Sequence, residues 1–494
     1  MNTFVSTAVV KANKTTSTNG MVMYHSTTND NLDFYARSGT IQFQNLIESF
    51  IKALNEDNEL AIRNLLHMRD VRTGRGIREN SRTILRWLAE NKPEYIISSQ
   101  IVQRFVDLGR WDDLFEILKQ SNKQPSNFVL NFIVQELQKP EPNPLLCKWL
   151  PRNDKKTVKN RKTNYDIISK LIRERLNLSP KAYRKLLVEN TKVVETQMCS
   201  QQWKDINFQH VPSQAFRIYQ KAFAKHTPDL FTNFLNKVEA GEARINAGAV
   251  WPHEILKEVT PDTGGHYSIP NKFTPAQAAQ WNSLTDFINS PKQLLPLIDV
   301  SGSMGAAAYG SFTCATIAVA LGLYTAERNK SAFKNMFLTF ETQPSLAFVK
   351  DTMSLSEKVN TITSQPWGGS TNIAAAFDKI LSHAISNQVP QEDMPEILVV
   401  FTDMGFNSYY NNSYNATAMR MLKSKYSKAG YNLPQVVWWN LSGKAALPVL
   451  EKDTNTCIVS GFSPSNFSAI LDTDQFTPLN VMKTALLQDK YNWQ

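Results

Sequence analysis

LPLIDVSGSMG, residues 295–305, runs from an unbroken apolar segment straight into Asp299, Ser301 and Ser303. Continuous rather than alternating apolar character fits a strand buried on both faces, and the abrupt polar switch marks its end. Four more such segments follow, NMFLTFE, EILVVFT, QVVWWNLS and TCIVSG. Between them lie the helical patterns SFTCATIAVALGLYTAERN, TNIAAAFDKILSHAISN and NATAMRMLKSKYSKAG. The alternation predicts a doubly wound α/β domain over residues 291–494, with a mostly parallel sheet between layers of helix. In such a sheet ligands collect at the carboxyl ends of the strands, which is where Asp299 stands.

Two further loops point to the same end. PWGGSTN, with Thr371, opens a helix, and Asp403 in VVFTDMGF closes a later strand. Asp299, Ser301, Ser303, Thr371 and Asp403 together form an all-oxygen set, which selects a hard cation over zinc or copper. Magnesium suits it best, because few protein ligands leave room for waters that complete an octahedron. Hydroxyls in place of further carboxylates keep the ion electrophilic and able to accept an outside carboxylate. Ser370, beside Thr371, is a rival hydroxyl. In the plainer alternative, Ser301 and Ser303 only cap the next helix while Asp299 bonds a turn.

The same residues argue against an enzyme. A phosphotransferase with a strand-end aspartate nucleophile would want a second carboxylate two residues on, where Ser301 stands. SGSMG has its glycines at the wrong offsets for a GxSxG serine elbow, and no GxxxxGK[ST] loop occurs. The seven histidines are scattered without an obvious base partner.

Before residue 291 the pattern changes period. IQFQNLIESFIKALNED, SRTILRWLAEN, SSQIVQRFVDLG, WDDLFEILKQS, PSNFVLNFIVQELQK and DLFTNFLNKVEAG repeat apolar residues three and four apart, predicting a helical array over 36–290 behind a polar arm, 1–35. Residues 141–165, rich in Pro, Lys and Asn, read as a long loop. Charge divides at the same border: residues 291–494 carry 15 Lys and Arg against 15 Asp and Glu, whereas residues 1–290 carry 39 against 29. Residues 151–192 hold 13 basic and 4 acidic residues, and 61–90 hold seven arginines against three acids. Such concentrations suit a polyanion, with Arg forks matching phosphate oxygens. The candidate phosphate contacts are Arg69, Arg72, Arg75, Arg78, Lys155, Lys156, Lys159, Arg161, Lys162, Arg184 and Lys185, with Trp149 and Tyr183 available for stacking. A solvated charged surface is the competing explanation.

At 494 residues the chain exceeds one ordinary core, so at least two domains are expected. Cys147, Cys199, Cys314 and Cys457 form no CxxC pair, which fits reduced thiols. The longest apolar run, from Cys314 to Tyr324, is too short to cross a bilayer, and the polar N-terminus lacks the apolar core of a secretion signal, so a cytoplasmic protein is expected.

Asp-x-Ser-x-Ser at the first strand end, the GGST loop and the later strand-end aspartate resemble the metal-ion-dependent adhesion site of von Willebrand factor A domains. The resemblance implies Asp299, Ser301 and Ser303 as first-loop ligands, Thr371 as the second-loop hydroxyl and Asp403 as the third-loop carboxylate. TDMGF departs from the commoner Thr-Asp-Gly of that loop. The first part, through HMRDVRTGRGIREN, CKWLPR, LSPKAYRKLL, MCSQQWKDINFQHVPSQAF and GEARINAGAVWPHEIL, resembles a bacterial, phage and eukaryotic family that joins a TROVE-like helical region to a von Willebrand A domain. The Ro autoantigens share that layout. The resemblance implies a HEAT-like helical ring that holds RNA as a ribonucleoprotein component, an A domain that binds magnesium, no catalysis, and a monomer. A metal-dependent protein-interaction scaffold without RNA is the alternative.

Overall fold

The computed structural model describes residues 12–40, 45–152, 165–256, 260–261, 267–268, 272–309, 312–367, 369–407, 418–444 and 446–494. A helical N-terminal region is followed by an α/β domain. Its helices include Leu46–Glu56, Asn58–Arg69, Arg78–Asn91, Ile101–Leu108, Lys123–Leu137, Pro180–Asn190, Ser213–His226 and Pro228–Glu239. Their starts follow local chemistry. The side chains of Asp57, Asn122 and Ser179 accept hydrogen bonds from the backbone N–H of Leu60, Gln124 and Ala182, which would otherwise be orphaned in the first turn. The expected loop over 141–165 needs correcting: Asn143 caps a helix, Pro144–Trp149, whose proline sits at the position where no N–H is needed. WDDLFEILKQS forms two short turns rather than one helix, Trp111–Asp113 and Phe115–Leu118.

The α/β domain is built on six strands: β1 (Leu294–Asp299), β2 (Met336–Phe340), β3 (Ser345–Phe348), β4 (Ile397–Thr402), β5 (Gln435–Asn440) and β6 (Thr456–Ser460). Their order across the sheet is β6-β5-β4-β1-β2-β3, parallel throughout except for β3, which runs antiparallel to β2 at the edge. All six residues of β1 and of β4 are buried, as the continuous apolar pattern required. The helix Cys314–Arg328 lies across this centre with Cys314 to Ala326 buried. It approaches closely because Gly322 faces β1: a Cβ there would run into Ile298 Cδ1 and lie 2.6 Å from its Cγ1.

The 1–35 arm also needs correcting. Within it, a hairpin of Lys14–Thr16 with Val22–Tyr24 bridges to Leu447 and Asn407 of the α/β domain, and the helix Asp30–Ser38 runs across the expected boundary onto β6. At the other end, the C-terminal segment returns to the helices, where Gln100 N donates to Trp493 O at 2.9 Å and the Tyr491 hydroxyl to Asp70 Oδ2 at 2.9 Å. One apolar core accordingly runs from the first helices through the sheet. A second, separate core is made by Phe208, Phe216, Phe223, Phe231 and Phe234, with Phe208 and Phe231 ring centroids 5.2 Å apart. Among the described residues, no helix is long and apolar enough to cross a membrane, and all four cysteines are free thiols.

Candidate metal centre and helical cavity

Strand order sets where the site falls. β1 and β4 are neighbours whose chain connections leave in opposite directions across the sheet, and a crevice opens outside the carboxyl ends of such a pair. Asp299 ends β1 and Asp403 follows β4, both wholly buried. The Ser301 N–H donates to Asp299 Oδ1 at 3.0 Å, and the Thr402 hydroxyl donates to Asp299 Oδ2 at 2.7 Å. Ser301 and Ser303 bring their hydroxyl oxygens within 3.4 Å of each other. Asp403 accepts from the Gly405 N–H at 2.9 Å and from the Lys444 ammonium at 2.6 Å. Its backbone carbonyl accepts the Ser442 hydroxyl, so the loop after β5 is tied to the loop after β4.

The third loop explains its own departure from Thr-Asp-Gly. Met404, where that pattern has glycine, takes φ 63°, the left-handed conformation glycine adopts freely. Its side chain is buried and its N–H donates to the Thr402 hydroxyl at 3.1 Å. Losing glycine costs about 1–2 kcal/mol of backbone strain. Burying a methionine recovers roughly 1.5–3 kcal/mol, so the loop keeps the shape with a different residue. Thr371 is buried and its carbonyl accepts from Asn407 N at 3.0 Å, which fastens the second loop to the third. Ser370 instead donates its backbone N–H to Thr342, away towards β2.

Electrostatics at this point are unbalanced. Burial pushes the Asp299 carboxyl up, to about 7, and the nearby Asp403 charge pushes the same way. Among the described residues, two buried carboxylates face one lysine, and the donors to Asp299 are neutral. Such a pair is stable only if a proton or a cation makes up the difference. The donors are all oxygen, so Asp299, Ser301, Ser303, Thr371 and Asp403 fit a hard divalent ion as a set. Among the described residues, no group of three or more His, Cys, Asp or Glu side chains could hold a metal.

The basic residues divide sharply. Arg69 and Arg75 are buried and are corrections to the phosphate-contact set. Arg69 donates to Asp113 at 2.7 Å, and Arg82 pairs with the other oxygen of the same carboxylate at 2.7 Å. Arg75 donates to the Tyr35 carbonyl, the Ser460 hydroxyl and Asn64, and lies 4.7 Å over the Tyr35 ring. Both guanidinium groups therefore join structural elements. Tyr183 is likewise a core residue and no stacking platform. Arg72 is exposed and donates to Asp107 O, Arg78 stands beside Glu79, and Arg184 and Lys185 are exposed on the helix Pro180–Asn190. Lys155, Lys156, Lys159, Arg161 and Lys162 lie outside the described residues.

A cavity of about 1380 Å³ opens between the two cores, with Phe462 of the α/β domain in its lining. Its walls carry Arg78, Arg110, Lys148 and Lys192 together with Glu189, Glu195, Asp205 and Glu254, Lys148 pairs with Glu195 at 2.7 Å, and the Arg110 guanidinium stacks 3.6 Å over the half-buried Trp149 ring. Arg110, Lys148 and Lys192 were not evident from sequence because the cavity gathers residues from seven separate stretches of the chain. Burial holds His253, on the same wall, down at about 3, hence neutral at physiological pH.

The family models that match the chain are a domain of unknown function, DUF2828, over residues 17–164 and 145–294, and a second domain of unknown function, DUF7788, over residues 293–490. A relative from Acanthamoeba polyphaga mimivirus, "Uncharacterized protein L728", is 28% identical over 521 residues, covering 95% of this chain and 87% of the relative. The Ro (RSR) protein of Deinococcus radiodurans aligns in structure over 93% of both chains, at 12% identity and a TM-score of 0.33, too loose a superposition to carry an argument.

Proposed function

We propose that this chain, which belongs to the DUF2828 family, is a non-catalytic RNA-binding protein whose helical region holds RNA and whose von Willebrand A-like domain holds a divalent cation. Two fully buried carboxylates facing one lysine at the β1/β4 crevice carry the second half of this reading. The order β3-β2-β1-β4-β5-β6, the left-handed residue after Asp403 and the convergence of three loops support the von Willebrand A-like assignment. Magnesium bound by Asp299, Ser301, Ser303, Thr371 and Asp403 would supply an electrophilic centre for an outside carboxylate.

RNA binding is supported by charge and by the cavity. All the excess positive charge lies in residues 1–290, and Arg78, Arg110, Lys148 and Lys192 line one space with Trp149, beside Glu189, Glu195, Asp205 and Glu254, so phosphate would have to displace carboxylates such as Glu195, which pairs with Lys148 at 2.7 Å. Cationic side chains beside an aromatic ring suit single-stranded nucleic acid, where phosphate is neutralised and bases stack. A gel-shift series at low salt tests the RNA half and its independence from the metal. Wild type should retard RNA with or without EDTA, and Asp299→Ala should retard it equally. Failure to retard any RNA at low salt would end the RNA reading.

One observation favours a second reading, a metal-dependent protein-interaction scaffold. Leu145, Val188 and Ile218 are 50%, 52% and 57% exposed and all line the cavity, an arrangement that suits an apolar segment of a protein partner. On that reading EDTA or Asp299→Ala abolishes partner capture.

A further inference from the structure

Among the described residues, Lys444 is the side chain seen to bring positive charge to the crevice, and its position is built by neighbouring contacts. It follows β5 in the sequence LSGK, where Gly443 takes φ 67° and packs against Thr40, at the end of the helix Asp30–Ser38. The Lys444 N–H donates to the Ser442 hydroxyl at 3.3 Å, and that hydroxyl donates to the Asp403 carbonyl at 2.7 Å. Ser442 thereby pins the loop to the third loop, and the Lys444 ammonium reaches Asp403 Oδ2 at 2.6 Å with the side chain 33% exposed.

Gly405 shows how narrow the shared space is. A Cβ at that position would lie 2.9 Å from Asp403 Oδ1, 3.0 Å from Lys444 Nζ and 3.4 Å from Ser303 Oγ. A first-loop hydroxyl, a third-loop carboxylate and the ammonium therefore surround one point. The ammonium stands among the oxygen ligands, with one edge open to solvent through which it can leave.

We propose that Lys444 is a tethered cation that stands in for the divalent ion at Asp403 and sets the metal affinity of the crevice low. The proposal rests on the reading of Asp299, Ser301, Ser303, Thr371 and Asp403 as a metal site. Without metal, the ammonium balances one of the two carboxylates and lets the domain fold. When a divalent ion enters, Lys444 gives up Asp403 and moves towards solvent, because two cations at that separation repel strongly where water is scarce. The two cations exchange at a single carboxylate, so the site is tuned to fill when an additional ligand, such as a carboxylate from a binding partner, favours the metal-bound state.

Isothermal titration of the full-length protein with Mg²⁺ alone tests this, on wild type, Lys444→Met, Lys444→Arg and Asp299→Asn. Lys444→Met keeps most of the side chain and removes the charge, and should tighten Mg²⁺ binding by about tenfold or more. Lys444→Arg keeps a cation and should bind as wild type does, and Asp299→Asn should not bind. Melting temperatures provide the reciprocal readout: Lys444→Met should melt lower than wild type in EDTA and recover in Mg²⁺, whereas wild type should change little. Far-UV circular dichroism in Mg²⁺ confirms that each variant folds. If Lys444→Met binds Mg²⁺ no more tightly than wild type while Asp299→Asn abolishes binding, the metal site stands and the tethered-cation proposal falls. If neither wild type nor Lys444→Met binds Mg²⁺, both fall.

Discussion

Asp299 is a carboxylate kept where water does not reach it, and its titration carries a prediction. Burial raises it from an ordinary 3.8 to about 7. The unfolded chain then releases this proton first, so the group's contribution to stability is full below about pH 4 and is lost as pH rises to about 7. Above that range the folded protein holds an ionised Asp299 beside Asp403, a state that a divalent ion relieves. Added Mg²⁺ should therefore raise the melting temperature more at pH 8 than at pH 5. Asp299→Asn should be more stable than wild type at pH 8 in EDTA, by on the order of 1 kcal/mol. Melting curves at the two pH values check this, and a metal effect of equal size at both would contradict it. The first-loop motif and Asp403 were legible in sequence because each ends an apolar run. Lys444 was not, because a lone lysine in a Gly-containing loop has no local signature until strand order brings β5 beside β4.

At the scale of elements, the helix Cys314–Arg328 fixes the back of the crevice. Its apolar stretch was visible in sequence, and its burial follows from lying over β1. Gly322 gives a test in which sign alone decides. In an exposed helix interior, Gly→Ala gains about 1 kcal/mol. Here the added methyl meets Ile298, and overpacking of a filled core costs about 1–3 kcal/mol, so Gly322→Ala should lower stability. Urea denaturation measures it, and a stabilised variant would contradict the close approach described for this helix. Five of the six strands were legible as apolar runs. β3 was not: it is four residues long, lies at the edge and alternates between partly buried and exposed positions, so it has no continuous apolar pattern. The helix Leu355–Thr363 was missed for a similar reason, since only Leu355, Val359, Ile362 and Thr363 are buried.

Across the whole molecule, the arginine-rich segment that suggested phosphate binding turns out to do two jobs. Arg69 and Arg82 bracket Asp113, while Arg75 ties Asn64 in the helical region to Tyr35 and to Ser460 on β6. Burial lowers Arg75 to about 10, so it stays charged at neutral pH, and among the described residues the acceptors that hold it are neutral. Arg75→Met should leave those acceptors unsatisfied and cost about 3 kcal/mol or more. The loss should be seen as a lower melting temperature, with RNA binding retained by whatever protein remains folded. Sequence composition could show how many arginines the segment has but not which of them face inward, because burial is decided by contacts with residues from 11 to 385 positions away. The border near residue 291 was legible as a change of period. The joining of the first helices, the N-terminal hairpin and the C-terminal segment into one core with the sheet was not.

The central claim is that phosphate contacts in the helical region bind RNA, and fluorescence anisotropy of a labelled single-stranded RNA across a salt series tests it most directly. For wild type, the logarithm of affinity should fall linearly with the logarithm of salt concentration, with a slope of about −0.7 for each phosphate contacted. The double variant Arg78→Glu, Lys192→Glu should bind more weakly and lose about one to two units of that slope, because both cations line the cavity. An affinity indifferent to salt, or a double variant that binds as wild type does, would contradict the account.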